Sequence, residues 1–156
     1  MNIPSHQMSF SGQILERGFW LYVWKIKFEN TLYFYVGRTG DSSLAHASSP
    51  FNRICQHLDF RDNAKGNFLA KRLKEAAINP YKSKFNMLAL GPFFHEQDTF
   101  ENHKPFRDHM ATLESEVANH LKAYNFNVLG IHHPKAEVSK TEIKNITEKI
   151  IKFANA

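Results

Sequence analysis

The stretch from Trp20 to Arg38 constrains the fold more than any other part of the chain. "WLYVWKIKF" (20–28) and "TLYFYVGR" (31–38) are rich in β-branched and aromatic residues, with only Glu29 and Asn30 between them. A two-residue connection between such runs predicts a tight antiparallel hairpin. The turn sets the register, pairing Trp24 with Tyr35 and Tyr22 with Gly37. Directly paired residues share a face, so Tyr22 and Tyr35 emerge on one side of the hairpin. Gly37 has no side chain and leaves room beside the Tyr22 hydroxyl. The second strand then runs into "GRTG" (37–40), placing the cation of Arg38 where two phenols converge. A plain strand end needs no arginine there, whereas a site that receives an anion does. "GRTG" lacks the spacing and the terminal Lys-Ser/Thr of a phosphate-binding P-loop.

Downstream, Asp41 to Pro50 reads as a loop of small residues, and Pro50 suits the first position of a helix. Phe51, Ile54, Cys55 and Leu58 recur at helical spacing and predict an inward apolar stripe. On the opposite, polar side Arg53 and His57 lie four residues apart, with Arg61 one turn further. "NFLAKRLKEAA" (67–77) predicts a second helix with Phe68, Leu69, Leu73 and Ala76 inward, stopped by "NP" at 79–80. "KFNMLALGPFF" (84–94) reads as a third strand. The polar run 96–109 reads as a long loop, a common place for function. Residues 110–126 predict a third helix with Met110, Leu113, Val117 and Leu121 inward. In the tail, "SKTE" (139–142) is a capping-box pattern ahead of Ile143, Ile146, Ile150 and Phe153, which predict a fourth helix.

Length and composition narrow the class. A chain of 156 residues suits one compact domain, and 42% hydrophobic residues, including 14 Phe, exclude a disordered chain. The net charge of +5 favours a polyanionic partner such as nucleic acid. Lys65, Lys71, Arg72 and Lys74 surround the second helix and are candidate phosphate contacts, although a solvated face explains them almost as well. The single cysteine, Cys55, forms no internal disulfide. No secretory leader and no membrane-length apolar run is visible, so a cytoplasmic or nucleoid-associated location is expected. The histidines outside the first helix, including His132 and His133, read as surface or DNA-facing, because no Cys pair and no HExxH accompanies them.

On the third helix, Glu114 falls at the edge of the inward stripe while Glu116 turns to solvent. A carboxylate aimed at the protein body must be paired, protonated or metal-bound. A structural ion pair with a nearby Arg or Lys is the plain alternative to a metal ligand.

Taken in order, "WLYVWKI", "FYVGRTG", "RICQHL", "LESEVANHL" and "NFNVLG" resemble the GIY-YIG nuclease superfamily. The resemblance spans about Trp20 to Gly130. Trp20-Leu21-Tyr22 and Tyr35-Val36-Gly37 stand for the two signature triplets, with Trp20 where glycine is usual. It implies an α/β (α+β) fold, a small three-stranded antiparallel sheet flanked by helices. The implied organisation is an N-terminal extension (1–19), the nuclease-like domain (20–130) and a helical tail (131–156). The implied catalytic set is Tyr22, Tyr35, Arg38, Arg53, His57, Glu114 and Asn127, with Asn125 as an alternative for the last. Glu114 would hold the metal, Mg²⁺ or Mn²⁺, hard cations that prefer oxygen ligands. Arg53 would offset transition-state charge. A tyrosine serves as base only if cations such as Arg38 and the metal stabilise its phenolate. The implied function is metal-dependent DNA endonuclease. The alternatives are a catalytically silent nucleic-acid-binding module and a protein-interaction domain, with the tail helix mediating docking or self-association.

Overall fold

The structure, a computed structural model, describes residues 1–156. Strands β1 (Phe19–Phe28) and β2 (Thr31–Arg38) form the expected hairpin. Glu29 supplies the turn with a left-handed φ of 52°. The register follows the turn: Trp24 pairs with Tyr35 and Tyr22 with Gly37. Strand β3 (Lys84–Phe94) adds antiparallel to the other edge of β1. Trp20 fits beside the hairpin because it lies against Gly91 and because its indole N–H donates to the Glu16 carbonyl at 3.0 Å.

The sheet has four strands, not three, and is mixed. Its order is β3-β1-β2-β4, where β4 (Asn127–Leu129) runs parallel to β2. Three residues are too few to show an alternating pattern, which is why β4 escapes a reading of the sequence. Helix α3 (Phe100–Ala123) carries the chain back over the sheet and makes the parallel return possible.

Helices cover both faces. Phe19, Leu21, Val23, Phe34 and Val36 share one core with the inward stripe of α3. The tail helix α4 (Lys140–Asn155) adds Ile146, Ile150 and Ala154 to that same core, so much of its apolar stripe is covered within the chain. Tyr22, Trp24, Ile26 and Tyr35 form a second core on the other face, with Leu69 and Leu73 of α2 (Phe68–Glu75) and with Ile78. Burial on both faces gives β1 its nearly continuous apolar run.

Several local expectations are corrected. Residues 100–109 are helical, because the Thr99 hydroxyl caps the Asn102 N–H at 3.3 Å and starts α3 a full ten residues early. Pro105 is tolerated there because it and Glu101, whose carbonyl it leaves without a donor, are both exposed to water. Ser139 caps α4 without using its side chain, and Glu142 instead meets His109, Nε2 to Oε1 at 3.1 Å. In α2, Phe68 is half exposed and Ala76 is exposed; Ile78 fills the core position instead. No helix is long and apolar enough to cross a membrane.

Candidate active site

The site grows out of helix α1 (Pro50–His57), which lies against the second core. Pro50 stands at its first turn, and the Ser49 hydroxyl caps the Asn52 N–H at 3.2 Å. Ile54 and Leu58 pack against the second core as the apolar stripe predicts, and Arg53 and His57 turn inward beside them. His57 is buried and the Arg53 side chain is only 12% exposed, while Cys55 is exposed. Phe51 finds its partner in Phe10 of the N-terminal segment, ring centroids 4.8 Å apart. Arg53 and His57 thus meet the sheet where the tyrosines emerge.

The result is a pocket of about 270 Å³ beyond the ends of β2 and β4. Tyr22 comes from β1, Tyr35 and Arg38 from β2, Arg53 and His57 from α1, and Glu114 from α3. Gly37 makes the opening possible: a Cβ there would lie 2.5–2.6 Å from the Tyr22 ring and its hydroxyl. The His57 ring meets both tyrosine rings edge-on, at 6.0 Å from Tyr22 and 5.8 Å from Tyr35.

Two ion pairs organise the charge. Arg38 Nε donates to Glu114 Oε2 at 3.1 Å, and Arg53 Nη2 donates to Asp41 Oδ2 at 2.5 Å. Arg72 of α2 also lines the pocket, but its Nη1 donates to Glu75 Oε2 at 2.8 Å, so each of the three guanidinium groups has a carboxylate partner. His132 Nδ1 lies 3.8 Å from Glu114 Oε1. Burial opposes charge on Arg53, but Asp41 and the Tyr22 phenol outweigh it and hold the guanidinium above its usual range.

The buried polar atoms are unevenly satisfied. The whole chain has eight buried side-chain N or O atoms without a hydrogen-bond partner in the protein, and five belong to this pocket. They are Arg38 Nη1, Arg53 Nε, both ring nitrogens of His57, and His132 Nε2. Leaving such groups unpaired costs about 1–3 kcal/mol each, so their concentration in one place marks a surface shaped to meet polar ligand atoms. The arginine nitrogens only donate, so the ligand must carry acceptors.

Burial also decides the protonation states. It pushes the Tyr22 phenol well above its ordinary range, reinforced by Tyr35. Tyr35 is raised for the same reason, with Glu114 adding to the effect. Without a metal neither tyrosine is a ready base, because Arg53 only partly offsets desolvation. His57 moves the other way: burial first, then Arg53, lower it to about 4, so it is neutral near pH 7.

Not every expected residue converges here. Asn127 begins β4, where its Nδ2 donates to the Leu32 carbonyl at 3.1 Å, and it does not line the pocket. Asn125 takes a left-handed φ of 63° at the end of α3 and does not line it either. Lys65 is exposed in the loop before α2, and Lys71 and Lys74 line a neighbouring cleft. Arg72, expected only as a phosphate contact, is a pocket residue. Asp41 and His132 carry no signal in the sequence; a pairing need for Arg53 would have suggested Asp41. Of the two expected places for His132, the open surface is excluded: it lines the pocket with its side chain 7% exposed. Glu116 is half-buried in a groove of about 720 Å³ between α3 and α4, not free in solvent. No group of three or more His, Cys, Asp and Glu side chains gathers anywhere in the chain. No family model, curated protein or solved structure matches the chain.

Proposed function

We propose that this protein is a divalent-metal-dependent endonuclease that hydrolyses DNA phosphodiester bonds at the pocket, on a site of GIY-YIG type. The observation that carries the reading is the gathering of five unpartnered buried polar atoms beside Tyr22, Tyr35 and Glu114. A phosphate presents acceptors to Arg53 Nε and Arg38 Nη1, the guanidinium donors that the protein leaves unpartnered.

The residues present fit Mg²⁺ or Mn²⁺ with Glu114 as the protein ligand. Such ions ask for one or two carboxylates and keep several waters, so the lack of a larger acidic cluster is no obstacle. When bound, the ion polarises the phosphate and stabilises the leaving oxygen. Arg53 then offsets charge that grows on the phosphoryl oxygens, with Asp41 fixing its fork. His57, with both ring nitrogens open, takes the proton of the attacking water once the negative charge of a bound phosphate offsets the burial that lowers its pKa to about 4. The two tyrosines stay protonated and orient that water.

One observation favours a second reading. Glu114 is already engaged by Arg38 and both phenols are held neutral, as expected of a scaffold that binds nucleic acid without cutting it. Incubation with supercoiled, linear and branched DNA, with and without Mg²⁺, separates the two. Nicking or cutting that requires Mg²⁺ supports the nuclease; retarded but intact DNA supports the binding module.

A further inference from the structure

Helix α2 serves two sites at once. Phe68 and Arg72, one turn apart, line the candidate active site. Asn67, Lys71 and Lys74 fall on the neighbouring stripe and line a separate cleft of about 440 Å³. The aromatic rings of Phe60 and Tyr81 also line this cleft, with centroids 6.0 Å apart. Tyr81 is 86% exposed, an unusual position for a large ring with no partner beyond Phe60. Lys71 and Lys74 form no ion pair, whereas Arg61 is already held by Asp59.

Asn67 supplies an independent observation. It is 93% buried, since its relative exposure is 7%, and its Nδ2 donates to the Asp59 carbonyl at 2.9 Å. Its Oδ1 is buried and accepts from nothing in the protein. Beside the carboxylate of Asp62, the cleft thus combines an open ring face, two ammonium groups in no ion pair (Lys71 lies 5.9 Å over the Phe68 ring) and a buried acceptor in want of a donor. A ligand that answers all three has a planar face, negative charge and an N–H group.

We propose that the cleft holds an unpaired nucleotide next to the scissile phosphate, its base on Tyr81, its phosphate at Lys71 and Lys74, and an N–H on Asn67 Oδ1. This rests on the nuclease reading and narrows its substrate to DNA with a single-stranded or frayed segment. A base within a duplex has both faces stacked and its Watson–Crick donors paired, and cannot use the cleft.

The test is binding of the full chain, in EDTA, to a labelled single-stranded oligonucleotide and to a blunt duplex of the same sequence. Tyr81→Ala should weaken single-strand binding on the order of tenfold, the usual weight of one base–aromatic stack, and leave the duplex almost unchanged. Tyr81→Phe should bind like wild type, because the ring and not the hydroxyl does the stacking. Equal weakening on both DNAs, or on neither, would overturn the proposal. Binding is read without metal, so a separate Mg²⁺ cleavage assay tells the two failures apart. No cleavage with the Tyr81 effect intact removes the nuclease reading alone. Cleavage without a Tyr81 effect removes the nucleotide cleft alone.

Discussion

Gly37 stands opposite Tyr22 in the hairpin, and a Cβ on it would lie 2.6 Å from the Tyr22 hydroxyl oxygen. The phenol reaches the pocket through the space of a missing side chain. Tyr22→Phe and Tyr35→Phe remove only hydroxyls, so each should cut turnover sharply while the melting temperature changes little. Residues acting on one water are not additive, and the double variant should be scarcely worse than the poorer single one. Because burial holds both phenols high, neither variant should lose a pH limb near neutrality in its rate profile. Such a loss would make a tyrosine the base after all.

Arg53 is held in one orientation by Asp41 and keeps its Nε free of protein partners. Arg53→Lys preserves the charge but not the planar fork. Single-turnover cleavage should fall on the order of a hundredfold, as when one oxyanion donor is removed, with DNA affinity nearly kept. A near-wild-type rate would make Arg53 a structural ion pair only.

His57 gives the fold a pH signature. Its pKa is about 4 in the folded protein against 6.5 ordinarily, so the unfolded chain binds the proton more readily between those values. The stability that depends on neutral His57 is present above pH 6.5 and is lost as pH falls towards 4. The full loss is about 3 kcal/mol at most. Urea unfolding at pH 7 and pH 4.5 should show the wild type losing more stability than His57→Gln. Parallel losses would show that His57 is not buried in its neutral form.

Lys71 and Lys74 lie outside the catalytic pocket, unlike Arg72 on the same helix. Neutralising the two lysines should weaken binding to single-stranded DNA of any sequence and reduce the slope of log K against log salt by about 1.4. Arg72→Gln should in addition slow cleavage. A slope that does not change would put the DNA on another surface.

What the sequence reveals depends on how local the cause is. The hairpin register, with Tyr22 beside Gly37, follows from a two-residue turn, and the inward stripe of α3 follows from periodicity; both are visible in the residues. In α1 the inward Ile54 and Leu58 follow from periodicity, but the burial of Arg53 and His57 beside them does not, because it depends on the sheet and the tyrosines they pack against. The start of α3 at Phe100 hides behind Pro105 and a run of charge, although His103, Phe106 and Met110 already share one face. Asp41 and His132 enter the site only through loops, where no period announces them.

Glu114 carries the central claim: of the two carboxylates in the pocket it is the one assigned to the metal, while Asp41 is held by Arg53. The most direct measurement is Mg²⁺-dependent cleavage of plasmid DNA by wild type, Glu114→Gln and Glu116→Gln, each checked for folding by melting temperature. Glutamine keeps an acceptor for the Arg38 Nε and removes the charge that a dication needs. Glu116 faces the groove between α3 and α4 and serves as the control. The expected result is cutting by wild type and Glu116→Gln, and none by a folded, DNA-binding Glu114→Gln. Cutting by Glu114→Gln at the wild-type rate, or no Mg²⁺-dependent cutting by the wild type, would contradict it.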